Sequence, residues 1–200
     1  SLNVVAMAVL TTALLGAAMP SMAAGNAVSA EARARAHIAA FPGQTLHGAG
    51  HAYGVRDVIV DDDGAEHVRF DRRFKGLRVI GGDLVVHSSR SGGFLAVTQS
   101  MKRNLNGSTR AAINASRAAD AALVAHPGTL RSDSAELVVY ARGDLPVLAY
   151  DITIDSEQDD GTPSEKHVIV DARSAEVLDA WDDIHTAASN GTGRSFFNGN

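Results

Sequence analysis

Cysteine is absent from the 200 residues. That excludes a disulfide scaffold, a thiolate zinc site and a cysteine nucleophile. It leaves secretion open, because a chain of this length can fold without cross-links. Lysine is scarce: Lys75, Lys102 and Lys166 are the only three, so arginine carries nearly all the basic charge. We read that usage as a coding bias of bacterial type. A basic excess is also missing. The 23 acidic residues outnumber the 18 basic ones, for a net charge of −5, which argues against nucleic acid as a partner. No His-Glu-x-x-His, no Gly-x-Ser-x-Gly and no phosphate-cradling glycine loop before a helix occurs in the chain. What is present is core-forming material: 45% hydrophobic and 20% charged residues, enough for one to two domains.

Residues 1–24 carry no charge. Val4 to Met19 is a 16-residue apolar run interrupted only by Thr11, Thr12 and Gly16, followed by Pro20 and Ser21-Met22-Ala23-Ala24. Small residues at −3 and −1 suit signal-peptidase cleavage near Ala23 or Ala24. The run is short for a membrane span, which needs about 20 apolar residues. A secretory signal is therefore expected. With no initiator Met and no basic leader before Leu2, the expectation is that the sequence starts inside that signal. Contact with a membrane is then transient, during export.

Beyond the signal the pattern predicts α+β, with two helix-plus-antiparallel-sheet modules. A helix is predicted over 29–41, capped by Ser29 and stopped by Pro42-Gly43. A glycine-rich loop covers 44–54. A strand from Tyr53 to Val60 ends at the turn Asp61-Asp62-Asp63-Gly64, and a second runs from Glu66 to Phe74, with Val68 and Phe70 on one face. After the Lys75-Gly76 turn, one strand is expected from Leu77 to His87, kinked at Gly81-Gly82, and another from Phe94 to Thr98. Residues 101–107 read as a polar link. A second helix is expected over 108–125, then strands at 135–141, 145–155, 167–171 and 176–181, with a loop at 158–163. From Thr186 the chain turns small and polar, as an exposed linker does.

Candidate chemistry is thin. His47 and His51 have i, i+4 spacing, but Gly48 and Gly50 argue for a loop and not for a helical metal site. His67, His87 and His167 fall on predicted strands, as surface or hydrogen-bonded structural residues. Asp61-Asp62-Asp63-Gly64 lacks the later glutamate of a calcium loop. Asp155–Asp160 and Asp182-Asp183 read as solvated acidic faces. Asn114 and Asn190 sit in glycosylation sequons, of little meaning in a bacterial chain. These residues alone define no catalytic group, no cofactor site and no metal ligand.

The segment from His67 to His87 carries the informative motif. His67-Val68-Arg69-Phe70 is followed by the turn Gly76-Leu77, then Val79-Ile80-Gly81-Gly82-Asp83 before an apolar strand. This resembles the fungalysin/thermolysin propeptide motif, with His67, Arg69, Phe70, Gly76, Leu77, Val79, Gly81, Gly82 and Asp83 at the motif positions. Arg78 stands where proline is common in the family, at what reads as an exposed turn. Residues 146–152 and 167–178 resemble a PepSY-type propeptide domain, with Ala175 where the family usually has glycine. The turn there is expected to be type I or mildly strained, and not one that needs positive φ. Residues 191–199 resemble the first residues of a mature thermolysin-like neutral metalloprotease.

The resemblance implies a precursor divided into a signal (1–24), a fungalysin/thermolysin-propeptide-like domain (25–105), a PepSY-like domain (106–185) and a processing linker with the start of the protease (186–200). It implies a secreted pro-region that serves as intramolecular folding chaperone and inhibitor of its own metalloprotease catalytic domain. Zinc, together with calcium, is implied for that catalytic domain and not for these residues. Processing is expected within His185, Thr186, Ala187, Ala188, Ser189 and Asn190, with His185-Thr186 the first choice. The competing reading is a free-standing secreted PepSY-type inhibitor or binding module.

Overall fold

The computed structural model describes residues 28–158 and 161–184. The expected signal, the processing window His185–Asn190 and the segment read as the start of the protease lie outside the described residues. The fold is mostly β-sheet with a few short helices, broadly α+β. No helix among the described residues is long and apolar enough to cross a membrane.

Helix α1 spans Ala30–Ala40. The Ser29 hydroxyl accepts from the Ala32 N–H, and Glu31 lies in the first turn, as the cap signal predicts. Pro42 does not simply stop the chain. It opens a short helix, α2 (Pro42–Thr45), because proline is suited to a first helical turn. The glycine-rich loop is correspondingly shorter than expected, and β1 (His51–Val60) begins at His51. β2 (Glu66–Phe74) follows across the Asp61–Gly64 turn. The Lys75-Gly76 turn holds both residues at positive φ (49° and 86°), the conformation that suits a two-residue hairpin.

The strand expected over 77–87 is two strands: β3 (Leu77–Ile80) and β4 (Leu84–Ser88). Both lie on the same edge of β2. β3 pairs with Arg73 and Phe74, and β4 pairs with residues from Glu66 to Phe70. Gly81 and Gly82 form the break between them. Gly81 has φ +77, and a Cβ on Gly82 would come within 2.4 Å of a Val79 methyl. Neither position tolerates a side chain without movement. β5 (Phe94–Gln99) adds to β4.

Residues 101–107 are not merely a polar link, since Met101 and Leu105 are buried. The next helix, α3, spans Ala115–Ala125 and starts seven residues later than predicted. The Asn114 side chain caps it by accepting from the Arg117 N–H, while the Ala112 and Ile113 amides donate to the Ala172 carbonyl. Those two bonds hold the preceding residues out of the helix. β6 (Thr129–Tyr140), β7 (Val147–Glu157), β8 (Pro163–Asp171) and β9 (Val177–Asp182) form an antiparallel ladder. β6 and β8 begin earlier than their apolar cores suggest, and β6 carries an irregularity between Leu130 and Ala135.

The sheet has nine strands in the order β5-β4-β2-β3-β6-β7-β8-β9, with β1 on the other edge of β2. The purely antiparallel expectation fails at one place: β3 pairs parallel with β6, Val79 beside Val139 and Ile80 beside Tyr140. This seam carries the sheet from the first half of the chain into the second. α1 packs on Val68, Phe70, Leu84 and Val86, and α3 packs on Tyr150, Ile152, Ile154, Val168 and Val170. At the seam Phe74, Val79, Met101, Leu105, Val139 and Ala141 form their own buried cluster.

Candidate functional site

The break between β3 and β4 leaves backbone groups without ladder partners, and they must find other ones. Arg72 supplies one, at the Gly82 carbonyl. It lies on β2 in alternation with Val68, Phe70 and Phe74, so the pleat aims it into the interior, where it is 1% exposed. Its guanidinium donates to the carbonyls of Gly82 (3.0 Å), Leu46 (2.8 Å) and Thr45 (2.8 Å) and to the Gln99 side-chain oxygen (3.0 Å). It also stacks over the Tyr53 ring. Burial pushes its pKa below the ordinary value. Beside it, burial first, then Arg72 and His47, pushes His51 down to about 4. His51 Nδ1 lies 3.3 Å from an Arg72 nitrogen, and its buried Nε2 has no hydrogen-bond partner. A neutral ring fits that setting. His47 and His51 both face the Tyr53 hydroxyl, so the structure gives them a packing role.

On the opposite face, away from the helices, a groove of about 450 Å³ runs along the seam. Arg56, Arg73, Arg78 and Arg142 line it, with Trp181 at one end. Asp71 and Asp83 line it too, and Asp71 pairs with Arg56 at 3.2 Å and Asp179 with Arg142 at 3.7 Å, so the lining mixes both signs of charge. Of the motif residues, Val79, Gly81 and Asp83 line the groove. The others serve elsewhere. Phe70 is buried under α1, Gly76 makes the hairpin turn, Leu77 packs at the seam, Gly82 is buried against Val79 and Arg72, and Arg69 is exposed. His67 bonds Asp61 (2.9 Å) and lies 2.6 Å from His87, which reaches Thr98.

Arg78 is not the exposed turn residue expected. It sits in β3 and bonds Glu136 (2.7 Å) and Asp151 (2.6 Å) across the seam. Asp151 is 3% exposed, and its other oxygen bonds His167 Nδ1 at 2.8 Å. His167 stacks flat on Trp181, and Arg142 lies over the far side of the groove's edge on that same ring, 4.5 Å from its centroid. The acidic pair Asp182-Asp183 is likewise structured. Asp182 accepts from Ser164 and from the amides of Glu165 and Ile184, which hold its carboxyl below the usual range. The Ala175 expectation also fails: its φ is +65. Asp171 accepts from the Arg173 and Ser174 amides and closes the turn around it, so the ladder imposes the strained conformation on alanine.

Arg72 and Asp151 went unnoticed in the sequence. Arg72 was legible by parity, since it shares the buried face of Val68 and Phe70. Asp151 gave no such signal, because alternation with Tyr150 and Ile152 places it on the other face of β7.

The architecture is a sheet backed by helices on one face, with a groove at the seam on the other. Residues 52–101 match the Fungalysin/Thermolysin Propeptide Motif. The chain is 37% identical over 151 residues to a transglutaminase-activating metalloprotease of Streptomyces mobaraensis, covering 72% of this chain and 19% of that protein. It is 30% identical over 145 residues to thermolysin of Alicyclobacillus acidocaldarius subsp. acidocaldarius, covering 66% of this chain and 26% of that protein. The chain thus spans only a fifth to a quarter of these relatives. Against solved structures, the Bacillus megaterium YpeB C-terminal domain aligns at 11% identity and TM-score 0.39, over 76% of this chain and 63% of that one, too distant to define a shared fold. The motif and the relatives together support a pro-region of a thermolysin-like protease.

Proposed function

We propose that the chain is the pro-region of a secreted thermolysin-like zinc metalloendopeptidase, acting as folding chaperone and inhibitor of its own catalytic domain. In this reading residues 1–24 are the export signal. Residues 25–105 and 106–185 are a fungalysin/thermolysin-propeptide-like and a PepSY-like module, and processing falls within His185–Asn190. The observation that carries the reading is the motif match at residues 52–101, which covers β1 to β5 and includes β3, one of the two strands of the seam. Zinc, with calcium, belongs to the catalytic domain. Its ligand motif is not among these 200 residues, so no step of the pro-region's action runs through it.

The surface offered to the protease is the bare face of the sheet. Helices α1 and α3 cover the other face, and three motif positions reach the groove. A rigid sheet face can template the folding of a partner and then occlude its cleft, because the ordering cost has already been met in its own folding. Residues 191–199 follow the processing window and are read as the beginning of the protease.

Expressing the precursor with and without this chain tests the proposal. Active protease should accumulate only when the chain is supplied, in cis or in trans, and the secreted enzyme should begin between Thr186 and Gly191. Equal yields of active enzyme without the chain would overturn it.

A further inference from the structure

Three side chains at the end of the ladder converge without forming a closed ion-pair set. Glu165 and His167 project from β8 two residues apart, on one face of the strand. Asp183 follows β9 directly, and its N–H donates to the Glu165 carbonyl at 2.9 Å, which brings the two carboxylates side by side. One ligand atom from each of the three lies within 4.8 Å of the others.

The surroundings orient these atoms. Asp151, buried and already paired with Arg78, bonds His167 Nδ1 at 2.8 Å. If Nδ1 carries the proton, the Nε2 lone pair points away from Asp151. It points at Asp183, whose Oδ2 is 3.2 Å distant. A lone pair and a carboxylate oxygen repel at that distance unless a cation lies between them. Trp181 fixes the other two partners: its ring lies parallel to the imidazole at 5.3 Å, and its Nε1 donates to Asp183 Oδ1 at 2.9 Å. A carboxylate behind a histidine, holding its tautomer for a ligand on the far nitrogen, is the outer support that metal-binding imidazoles use. One imidazole and two carboxylates suit a borderline transition-metal ion better than calcium or magnesium, which favour all-oxygen sites. Arg131 bonds Glu165 at 2.6 Å but also bonds Asp155, so it keeps a partner if Glu165 turns to a metal.

We propose that Glu165, His167 and Asp183 form a divalent transition-metal site of the zinc class within this chain, supported by Asp151 and Trp181. The site ties the end of β9 to β8 immediately before the residues read as the processing window. It does not depend on the chaperone or inhibitor reading.

The sole tryptophan of the chain reports on it, because Trp181 touches both His167 and Asp183. The purified chain, stripped with chelator, is titrated with zinc chloride at pH 7.5 while Trp181 fluorescence, calorimetric stoichiometry and thermal midpoint are followed. One equivalent should change the fluorescence and raise the midpoint, and calcium at the same concentration should do neither. Asp183→Asn replaces a residue that is half exposed, so it should keep the metal-free midpoint and weaken zinc binding by at least about tenfold. His167→Gln should abolish the fluorescence response. Zinc taken up with Trp181 unchanged would assign the metal to other histidines and overturn the proposal. So would a response undiminished in Asp183→Asn, or no uptake at all, which would leave a proton as the cation between His167 and its carboxylates.

Discussion

The two halves of the sheet use the same plan, a helix over four or five strands, but are held in different ways. In the second half α3 lays Ala118, Ala119 and Ala122 on Tyr150, Ile152, Ile154, Val168 and Val170, and the ladder behind is long and nearly regular. In the first half α1 covers Val68, Phe70, Leu84 and Val86, but the sheet is split at Gly81-Gly82, and a buried arginine bridges the gap. Apolar burial scales with area and tolerates exchange, whereas a buried polar hub fails when one member is lost. Both halves bury polar side chains, Arg72 in the first and Asp151 in the second, but Arg72 donates to three backbone carbonyls at once, so the first half is expected to be the more sensitive to loss of one residue.

The largest expected effect follows from that contrast. Arg72→Leu leaves the carbonyls of Thr45, Leu46 and Gly82 and the Gln99 side chain without their donor, and should cost about 3–5 kcal/mol. Chemical denaturation of the variant measures this. A loss under about 1 kcal/mol would mean that the hub is dispensable. Next comes Gly82→Val. Its Cβ would overlap Val79 and press on Arg72, so a loss of about 3 kcal/mol is expected from the denaturation midpoint. An unchanged midpoint would remove the geometric reason for the split strand.

Acid should separate the halves. His51 is held down to about 4 by burial, then by Arg72 and His47; burial and His67 also lower His87. The unfolded chain takes up these protons near about 6.5 and the folded chain does not. Stability from these groups is therefore full above about 6.5 and falls as pH drops toward about 4, by on the order of 2 kcal/mol for His51. In the second half only His126 is lowered in the same way among the described residues, by burial and Lys166. Amide exchange at pH 7 and pH 4.5 should show β1–β5 losing protection before β6–β9. Equal loss in both halves would erase the asymmetry. The smallest effect tests the second half: Ala175→Gly should stabilise by about 0.5–1 kcal/mol by relieving a left-handed alanine. A lower melting temperature would show that the turn is not strained.

Local signals in the sequence were enough for much of this. The Ser29 cap, the Asp61–Gly64 and Lys75-Gly76 turns and the alternation of Val68 and Phe70 lead directly to α1, β1, β2 and their hairpins. Long-range pairing was not legible. Nothing local to Val79 or Val139 announces a parallel pair 60 residues apart in the chain, and the partner of Arg78, Asp151, is 73 residues away. The start of α3 was not legible, because what delays it to Ala115 is the bonding of the Ala112 and Ile113 amides to the carbonyl of Ala172, far along the chain. Of the site, the motif positions were legible as a group. Their division of labour was not, because the groove forms only when the second half closes on the first.

The proposal at the centre of this account is that the chain restrains a thermolysin-like protease through the helix-free face of its sheet. Titrating the purified chain into the active protease of the same precursor, and following peptide turnover, tests it most directly. We predict saturable inhibition at one equivalent, weakened by Arg56→Glu with Arg73→Glu in a variant that keeps its melting temperature. Full turnover in the presence of an excess of folded, undigested chain would contradict the account.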